Sequence, residues 1–270
     1  MISANRMPPR RVNACNTAHA SENKIHDDTV ARQYGFAAGL VPGADIYAYM
    51  THMPVEQWGR PWLEHGSAEC RFIKPLYDGR EAIVTATDEA DRLALEVLSE
   101  GTVCAAGHAR MQPEGSAAPN PDGYEARIPP EVRPPADERT LAPGTAFSIV
   151  PFHATAEYVD RYLRDVRETH TLYASERLVH PGIMLRLCNW TLTHNVALGP
   201  WIHVSSRVRN FAVAHVGERL GTRARVEANF EQKGHRFVEL DVLILAGDAT
   251  PLARITHTAI YSPRPASQRS

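Results

Sequence analysis

One histidine and one glycine near the start of the chain have the types and spacing needed for acid–base chemistry. His26 lies in the polar stretch SENKIHDD, and Gly43 follows 17 residues later in a Pro-Gly step that opens a predicted helix. An imidazole can give or take a proton near neutral pH. The N–H groups of a helix N-terminus stabilise negative charge on a carbonyl oxygen, and glycine lets a substrate approach closely. The pair is suited to activating a water molecule beside a carbonyl group whose oxygen the helix N-terminus binds.

Neighbouring residues complete this candidate site. Asn23 is predicted to orient the water, Asp28 or Glu22 to orient the imidazole, and Pro42 to contact the substrate beside the helix. Structural roles stay open for each group. The histidine could precede or cap a short helix, Asp27 and Asp28 are good N-cap and first-turn residues, and a Pro-Gly turn can simply introduce a helix.

A second set of residues offers an alternative site in the other half of the chain. Asp165 and His170 are five residues apart, and His180 stands directly before Pro181-Gly182. The same argument would make the histidines proton-transfer groups and Gly182 the carbonyl-binding glycine. His108, His203, His235 and His257 are predicted to be structural or packing residues.

The two halves are diverged copies of one unit. In each half, the tryptophan of a Pro-Trp pair lies 19 residues after the glycine of the Pro-Gly step, and a phenylalanine lies 29 residues after it. The matching positions are Gly43, Trp62 and Phe72 in the first half and Gly182, Trp201 and Phe211 in the second. The stretch QKGHRFVELDV is predicted to form an additional hairpin extension in the second copy.

Each copy combines one long helix with several strands. Apolar residues follow the Pro-Gly step at helical spacing, and runs with period-two alternation come after the Pro-Trp pair. This pattern predicts an α+β fold in which each helix lies against a curved antiparallel sheet. We expect units at 1–113 and 144–265, a proline-rich linker at 114–143 and a tail at 266–270, with the two sheets paired edge to edge. The predicted helical positions are Ile46, Met50 and Met53, then Ile183, Leu187 and Trp190.

Composition narrows the class of protein. The net charge of −2, without a basic stripe, gives no reason to expect a nucleic-acid partner, and the apolar runs are too short to predict a membrane span. The N-terminus has no apolar core like that of a secretory signal, and four widely spaced cysteines indicate reduced thiols. We therefore expect a cytoplasmic protein. No spacing typical of a metal site is found, and no cofactor is predicted.

The opening segment resembles the MaoC-like, (R)-specific enoyl-CoA hydratase family. The family signature is G-D-x-N-P-x-H-x-D, and Asn23, Ile25, His26 and Asp28 occupy matching positions in ASENKIHDD. The resemblance implies a tandem, or double, hotdog fold in which each unit is a long helix wrapped by a curved antiparallel sheet. It also implies a hydratase or dehydratase acting on an acyl-CoA or acyl-carrier-protein thioester. The two units would form a pseudo-dimer within one chain, and a homodimer of chains stays possible.

The sequence departs from the family at the position of its catalytic aspartate. That position, five residues before the histidine, is Ser21, and the histidine that precedes the helix glycine in the family is Pro42. Two further functions therefore stay open. One is an acyl-CoA thioesterase on the same fold, and the other is a non-catalytic acyl-binding or assembly subunit.

Overall fold

The computed structural model describes residues 6–18, 21–113 and 117–264 of the chain. Two units of the same kind follow one another, and in each a long helix lies against one face of an antiparallel sheet. A single 3₁₀ turn at Lys24–His26 precedes the first helix. The elements of the first unit are β1 (Arg10–Asn13), α1 (Asp28–Gln33), α2 (Gly43–Trp58), α3 (Arg60–His65), β2 (Gly66–Phe72), β3 (Glu81–Asp88), β4 (Leu93–Ser99) and β5 (Thr102–Met111).

The second unit repeats this plan with longer strands. Its elements are β6 (Ala146–Ser148), β7 (Phe152–His153), α4 (Ala156–Asp165), α5 (Leu172–Ser175), α6 (Pro181–Thr193), β8 (Ile202–Asn210), β9 (Arg219–Gln232), β10 (His235–Ala246) and β11 (Thr250–Ser262). Strands β9 and β10 form the predicted extended hairpin. Its tip, Lys233 and Gly234, has φ angles of 53° and 74°, the positive values that a two-residue type I′ turn requires.

The named strands form one antiparallel sheet that runs through both units. Its order is β1-β3-β4-β5-β2-β8-β11-β10-β9-β6, and β7 pairs with β9. Strands β2 and β8 join the two halves through a register that pairs Ser67 with Arg209 and Arg71 with Ser205. The predicted edge-to-edge pairing is therefore confirmed, and the strand order on one side of this seam mirrors that on the other.

Helices α2 and α6 pack against each other at the centre of the core. A Cβ added to Gly182 would lie 2.8 Å from the Cβ of Ala48, so the glycine permits the close approach of the two helices. The two helices confirm those predicted after the Pro-Gly steps. Ile46, Met50, Met53, Ile183 and Leu187 are each at most 3% exposed, while Trp190 is half-buried.

The proline-rich segment lies as a belt on the second unit. The Tyr124 hydroxyl donates a hydrogen bond to Asp241 at 2.9 Å, and Leu141 is fully buried. Arg133 donates to the carbonyl oxygen of Thr193 at 2.8 Å. The segment therefore contributes to packing, and its bounds at 114 and 143 stay a prediction. The predicted tail, 266–270, lies outside the described residues.

Two like units within one chain fit the predicted pseudo-dimer, and pairing of whole chains stays a prediction. Within the described ranges, we find no helix whose length and apolar character would let it cross a membrane.

Candidate functional site

A capped loop positions His26 at the boundary between the two units. Asn23 begins the 3₁₀ turn at Lys24–His26, and its Oδ1 accepts a backbone hydrogen bond from within that turn. Asp27 then caps α1, because its Oδ1 accepts from two N–H groups of the first helical turn. Asp27 thus has the N-cap role considered for it, and the two caps fix the backbone on both sides of the imidazole.

The His26 imidazole has a defined orientation. Its Nδ1 lies 2.7 Å from the carbonyl oxygen of Leu40. Because a carbonyl oxygen only accepts hydrogen bonds, Nδ1 carries the proton and the neutral ring has its lone pair on Nε2. Nε2 lies 3.4 Å from the Nδ2 of Asn23, a long contact. The geometry leaves Nε2 as the basic atom of this side chain.

Asn23 connects the His26 loop to the second unit. Its Oδ1 accepts a hydrogen bond from Trp201 N at 3.1 Å, and its Nδ2 donates to the Trp201 carbonyl oxygen at 3.0 Å. Its other amide hydrogen points towards the imidazole. These bonds make Asn23 a group that positions the imidazole, whereas the sequence predicted that it would orient water.

Asp28 shapes the loop from outside the cavity. Its Oδ1 accepts from Gly39 N at 2.8 Å, and its side chain is 64% exposed. A Cβ on Gly39 would lie only 2.1 Å from the His26 carbonyl oxygen. The hydrogen bond from Gly39 to Asp28 therefore stabilises a close approach of the backbone at Gly39 to the backbone at His26. Orientation of the imidazole, predicted for Asp28, comes instead from the Leu40 carbonyl group.

The N-terminus of α2 opens on a cavity, which its first residues help to line. Pro42 precedes Gly43, and no side chain caps the helix. The first N–H groups of a helix have no partner within it, so they remain available to an acceptor. A Cβ on Gly43 would lie 2.8 Å from both His203 Nδ1 and Phe72 Cε2. The absence of a side chain at this position keeps the space before the helix free.

An inner cavity of about 160 Å³ joins these features. His26, Gly43 and Phe72 line it from the first unit, and Asn189 and His203 line it from the second. None of the described residues that line it is an aspartate or a glutamate. The remaining wall is mainly apolar and includes Ile25, Phe36, Leu40, Ile46, Leu76 and Ile202.

An outer cavity of about 410 Å³ adjoins the inner one and shares His26 with it. Ser21 and Glu22 line this outer part. Ser21 Oγ accepts a hydrogen bond from Asn23 N at 3.1 Å. The residue at the position of the MaoC-like aspartate therefore stabilises the loop that contains His26. Glu22 forms an ion pair with Arg133 at 2.8 Å, and its side chain is 77% exposed. Neither residue places a carboxylate in the inner cavity.

The corresponding position in the second unit is filled by its own side chains. His180 is fully buried, and its Nδ1 accepts a hydrogen bond from Gly182 N at 3.0 Å. The Tyr162 hydroxyl occupies the space in front of the glycine, because a Cβ there would lie 2.1 Å from it. These contacts argue against a substrate site here, since the N–H that would bind a carbonyl group already has a partner.

The other two residues of the alternative site have local contacts. His170 Nδ1 accepts from Leu172 N at 3.2 Å, and its Nε2 lies 3.9 Å from Glu56. Asp165 is the last residue of α4. The structure therefore does not combine Asp165 and His170 with His180 into a cavity-facing pair.

A buried carboxylate, Glu168, holds this part of the second unit together. It lies 2.8 Å from His52 Nδ1, 3.4 Å from His180 Nε2 and 3.5 Å from Arg10 Nη1, and its side chain is 1% exposed. Burial alone would raise the pKa of this carboxyl group, but the hydrogen bonds from the histidines and the charge of Arg10 lower it overall. Burial also lowers the pKa of His180, and because its Nδ1 accepts from Gly182 N, the proton on Nε2 points towards Glu168. The network is an internal structural support.

Comparison with solved structures identifies the fold. A conserved hypothetical protein of Mycobacterium tuberculosis, described as having a double hotdog fold, is 12% identical, with 95% of this chain and 96% of the other covered and a TM-score of 0.67. The chain has a double hotdog fold. A protein of Chloroflexus aurantiacus named as a MaoC domain dehydratase is 11% identical over 97% of this chain and 95% of its own, with a TM-score of 0.64.

A solved structure named for a different reaction is also similar. It is named as an oleoyl thioesterase of Lactobacillus plantarum and is 12% identical over 97% of this chain and 99% of its own, with a TM-score of 0.52. No protein-family model and no curated protein sequence matches the chain. At these identities the comparisons establish the double hotdog fold, which carries several chemistries.

Three buried polar side chains of the second unit contact one another in a row that begins at the wall of the inner cavity. His203 Nε2 lies 2.9 Å from Ser206 Oγ, which lies 3.1 Å from His257 Nδ1. The sequence predicted both histidines as packing residues. His203 nevertheless lines the inner cavity, and the signal that could have suggested this is its position two residues after Trp201, at the start of the strand beside β2.

The two buried histidines predict acid-sensitive stability. Burial lowers the pKa of His257 to about 3, and it also lowers the pKa of His203. The unfolded chain therefore takes up protons below about pH 6.5 that the native chain does not, so stability is complete above that pH and falls as the pH decreases. Each such histidine contributes about 1.4 kcal/mol per pH unit.

Urea unfolding of the parent and His257→Asn between pH 6.5 and 5 measures this effect. We expect the slope of unfolding free energy against pH to decrease by about 1.4 kcal/mol per pH unit in the variant. The exposed His153, replaced by asparagine, controls for the loss of a surface imidazole. An unchanged slope in His257→Asn would mean that the buried imidazole already takes up its proton in the native state.

Proposed function

We propose that the first hotdog unit is an acyl-thioester hydratase or dehydratase site, acting on a CoA or carrier-protein thioester. The observation that carries the proposal is the contrast between the two long helices. The N-terminus of α2 is uncapped and opens on a cavity that His26 also lines, whereas His180 caps the N-terminus of α6. An uncapped helix N-terminus and a histidine therefore line the same cavity only in the first unit.

The proposed reaction uses the helix for charge and the imidazole for protons. The thioester carbonyl oxygen accepts a hydrogen bond from Gly43 N–H, which stabilises the negative charge that develops on the enolate. His26 Nε2 takes a proton from water as the water oxygen bonds to C3 of the 2-enoyl group. The imidazolium then returns that proton to C2, so the net change is addition of one water molecule across the double bond. Dehydration is the reverse sequence.

Two neighbouring amides support these steps. Asn23 holds the imidazole through its bonds to Trp201. Asn189 lines both cavities, and its Oδ1 is a buried acceptor without a hydrogen-bond partner among the described residues. A water molecule or substrate hydroxyl held between Asn189 Oδ1 and His26 Nε2 would satisfy this acceptor.

Thioester hydrolysis is the second candidate function. The observation that favours it is Ser21 at the position of the family's aspartate, together with an inner cavity whose described lining has no carboxylate. In that reaction His26 would activate water against the carbonyl carbon, and the N-terminus of α2 would bind the tetrahedral oxyanion. The similar solved structures named as a dehydratase and as a thioesterase support both candidates.

A paired assay separates the two functions. Wild type, His26→Ala and the exposed-site control His153→Ala receive crotonyl-CoA and longer 2-enoyl-CoAs. Loss of the conjugated double bond and release of free thiol are followed in the same samples. We expect loss of the double bond without thiol in wild type, a decrease of about 10²–10⁴-fold in His26→Ala and no change in His153→Ala.

The other outcomes have definite meanings. Thiol release that depends on His26 would establish thioester hydrolysis in place of hydration. Neither signal in wild type, with binding of the acyl-CoA retained, would leave the acyl-binding role. An active His26→Ala variant would remove His26 from the proton transfers.

A further inference from the structure

The wall of the cavity nearest the α2 N-terminus contains a polar atom that the proposed mechanism does not use. His203 comes from β8 of the second unit and is 7% exposed. Its Nδ1 has no hydrogen-bond partner among the described residues, although its Nε2 is bound to Ser206. This Nδ1 would lie 2.8 Å from a Cβ on Gly43, so it is next to the glycine whose N–H binds the carbonyl oxygen in the proposed function.

Two proton arrangements satisfy the hydrogen bonds from His203 to His257. In the first, Ser206 donates to His203 Nε2 and accepts from His257 Nδ1–H, which leaves a proton on His203 Nδ1. In the second, both rings carry their proton on Nε2 and Ser206 donates to His257. The second arrangement leaves an unpaired N–H on His257 Nε2, which is fully buried, does not line the cavity and has no partner among the described residues.

Both arrangements leave one buried N–H unpaired, and the first is favoured because it places that N–H where a bound ligand can accept from it. Buried N–H groups without a partner are rarer in proteins than acceptors without one. In the first arrangement His257 Nε2 keeps only an unused lone pair, and the unpaired N–H belongs to His203, on the wall of the cavity where a ligand binds. Burial also keeps both rings neutral by lowering the pKa of each. A neutral imidazole beside a helix N-terminus is suited to donate to a carbonyl oxygen.

We infer that His203 Nδ1–H donates a second hydrogen bond to the thioester carbonyl oxygen, beside Gly43 N–H, and that Ser206 and His257 hold it in the donor tautomer. The inference rests on the proposed acyl-thioester site but does not depend on whether that site hydrates or hydrolyses. It makes the second hotdog unit a direct contributor to the chemistry of the first.

Calorimetric binding of two CoA derivatives tests the contact. One is the ketone analogue of butyryl-CoA, in which CH₂ replaces the thioester sulfur. The other is S-butyl-CoA, which has no carbonyl oxygen at the thioester position. We expect His203→Gln, which keeps a polar group near Ser206 but removes the group at Nδ1, to weaken binding of the ketone about tenfold and to leave S-butyl-CoA binding unchanged. His203→Asn, whose amide nitrogen lies close to the Nδ1 position, should retain most of the affinity for the ketone.

Contrary results separate this inference from the proposed function. Equal affinities of wild type and His203→Gln for the ketone, or equal losses for both ligands, would overturn the contact while leaving the acyl-CoA site in place. A loss in His203→Asn as large as that in His203→Gln would also overturn it. If wild type bound neither ligand, the acyl-CoA site itself would fail, and the inference with it.

Nitrogen-15 NMR of wild type keeps the test independent of whether the variants fold. We expect the His203 Nδ1 to have the shift of a protonated nitrogen and to change when the ketone analogue, but not S-butyl-CoA, is added. A spectrum in which Nε2 carries the proton would overturn the assignment.

Discussion

Replacing Gly43 by alanine should lower the turnover rate about 10²–10³-fold on whichever acyl thioester proves active, while the chain still folds. The added Cβ would lie 2.8 Å from His203 Nδ1 and from Phe72 Cε2, so it would occupy the space that the carbonyl oxygen needs. Alanine suits a helix better than glycine, and the backbone here does not have a positive φ. The loss should therefore concern catalysis more than stability.

Steady-state kinetics and thermal unfolding of Gly43→Ala, measured together, check this expectation. Gly199→Ala is the matched control, because a Cβ there meets no atom within 4 Å and this glycine also lacks a positive φ. Full activity in Gly43→Ala would place the carbonyl group elsewhere than at the N-terminus of α2. A loss of activity explained entirely by unfolding would contradict the expectation that alanine at this position affects catalysis and not stability.

Replacing Glu168 by glutamine should have the largest effect on stability, a decrease of about 3–5 kcal/mol in the free energy of unfolding at neutral pH. Glutamine has nearly the same shape but removes the charge that pairs with Arg10, and it cannot accept from His52 and His180 with the same strength. Because the carboxylate is nearly fully buried, the guanidinium group would lose its compensation in a region of low polarity.

Urea unfolding of parent and Glu168→Gln measures the difference, with activity per folded molecule recorded below the transition. Glu81→Gln is the control, because the ion pair of Glu81 with Arg11 is exposed and should contribute less than about 1 kcal/mol. Near-normal activity of the folded Glu168→Gln protein would agree with a structural role for the second unit's network. Loss of activity without loss of stability would return the active site to His180 and its neighbours.

The pH dependence of this difference has a definite sign. The pKa of Glu168 is lowered in the native protein from its ordinary value of 4.5. Its contribution is therefore complete above about pH 4.5 and is lost as the pH falls below that value. The gap between parent and Glu168→Gln should narrow only in this acidic range.

The local features of the fold could be predicted from the sequence because they repeat. Equal intervals from Gly43 and Gly182 to the following tryptophans and phenylalanines indicated two copies, and helical spacing after each Pro-Gly step indicated α2 and α6. The sheet seam followed from the need to pair exposed strand edges. The repeat and the helices can be read from residue types and intervals along the chain.

The cavity wall could not be predicted in the same way, because it depends on contacts between distant residues. Asn23 meets Trp201, which is 178 residues away, and His203 approaches Gly43 only because β2 and β8 pair. The types of His180 and Gly182 matched those of a binding site, but their side-chain geometry closes it. Spacing alone does not distinguish a histidine that caps a helix from one that faces a ligand.

The cap that His180 places on α6 has an evolutionary consequence. In a symmetric dimer of identical chains, every substitution in one binding site also changes the other. Here His180 caps the helix end of the second copy, and that copy supplies Asn189, Trp201 and His203 to the wall of the inner cavity. Each side of that wall is encoded separately, so selection can change one face of the cavity without changing the corresponding residues of the other unit.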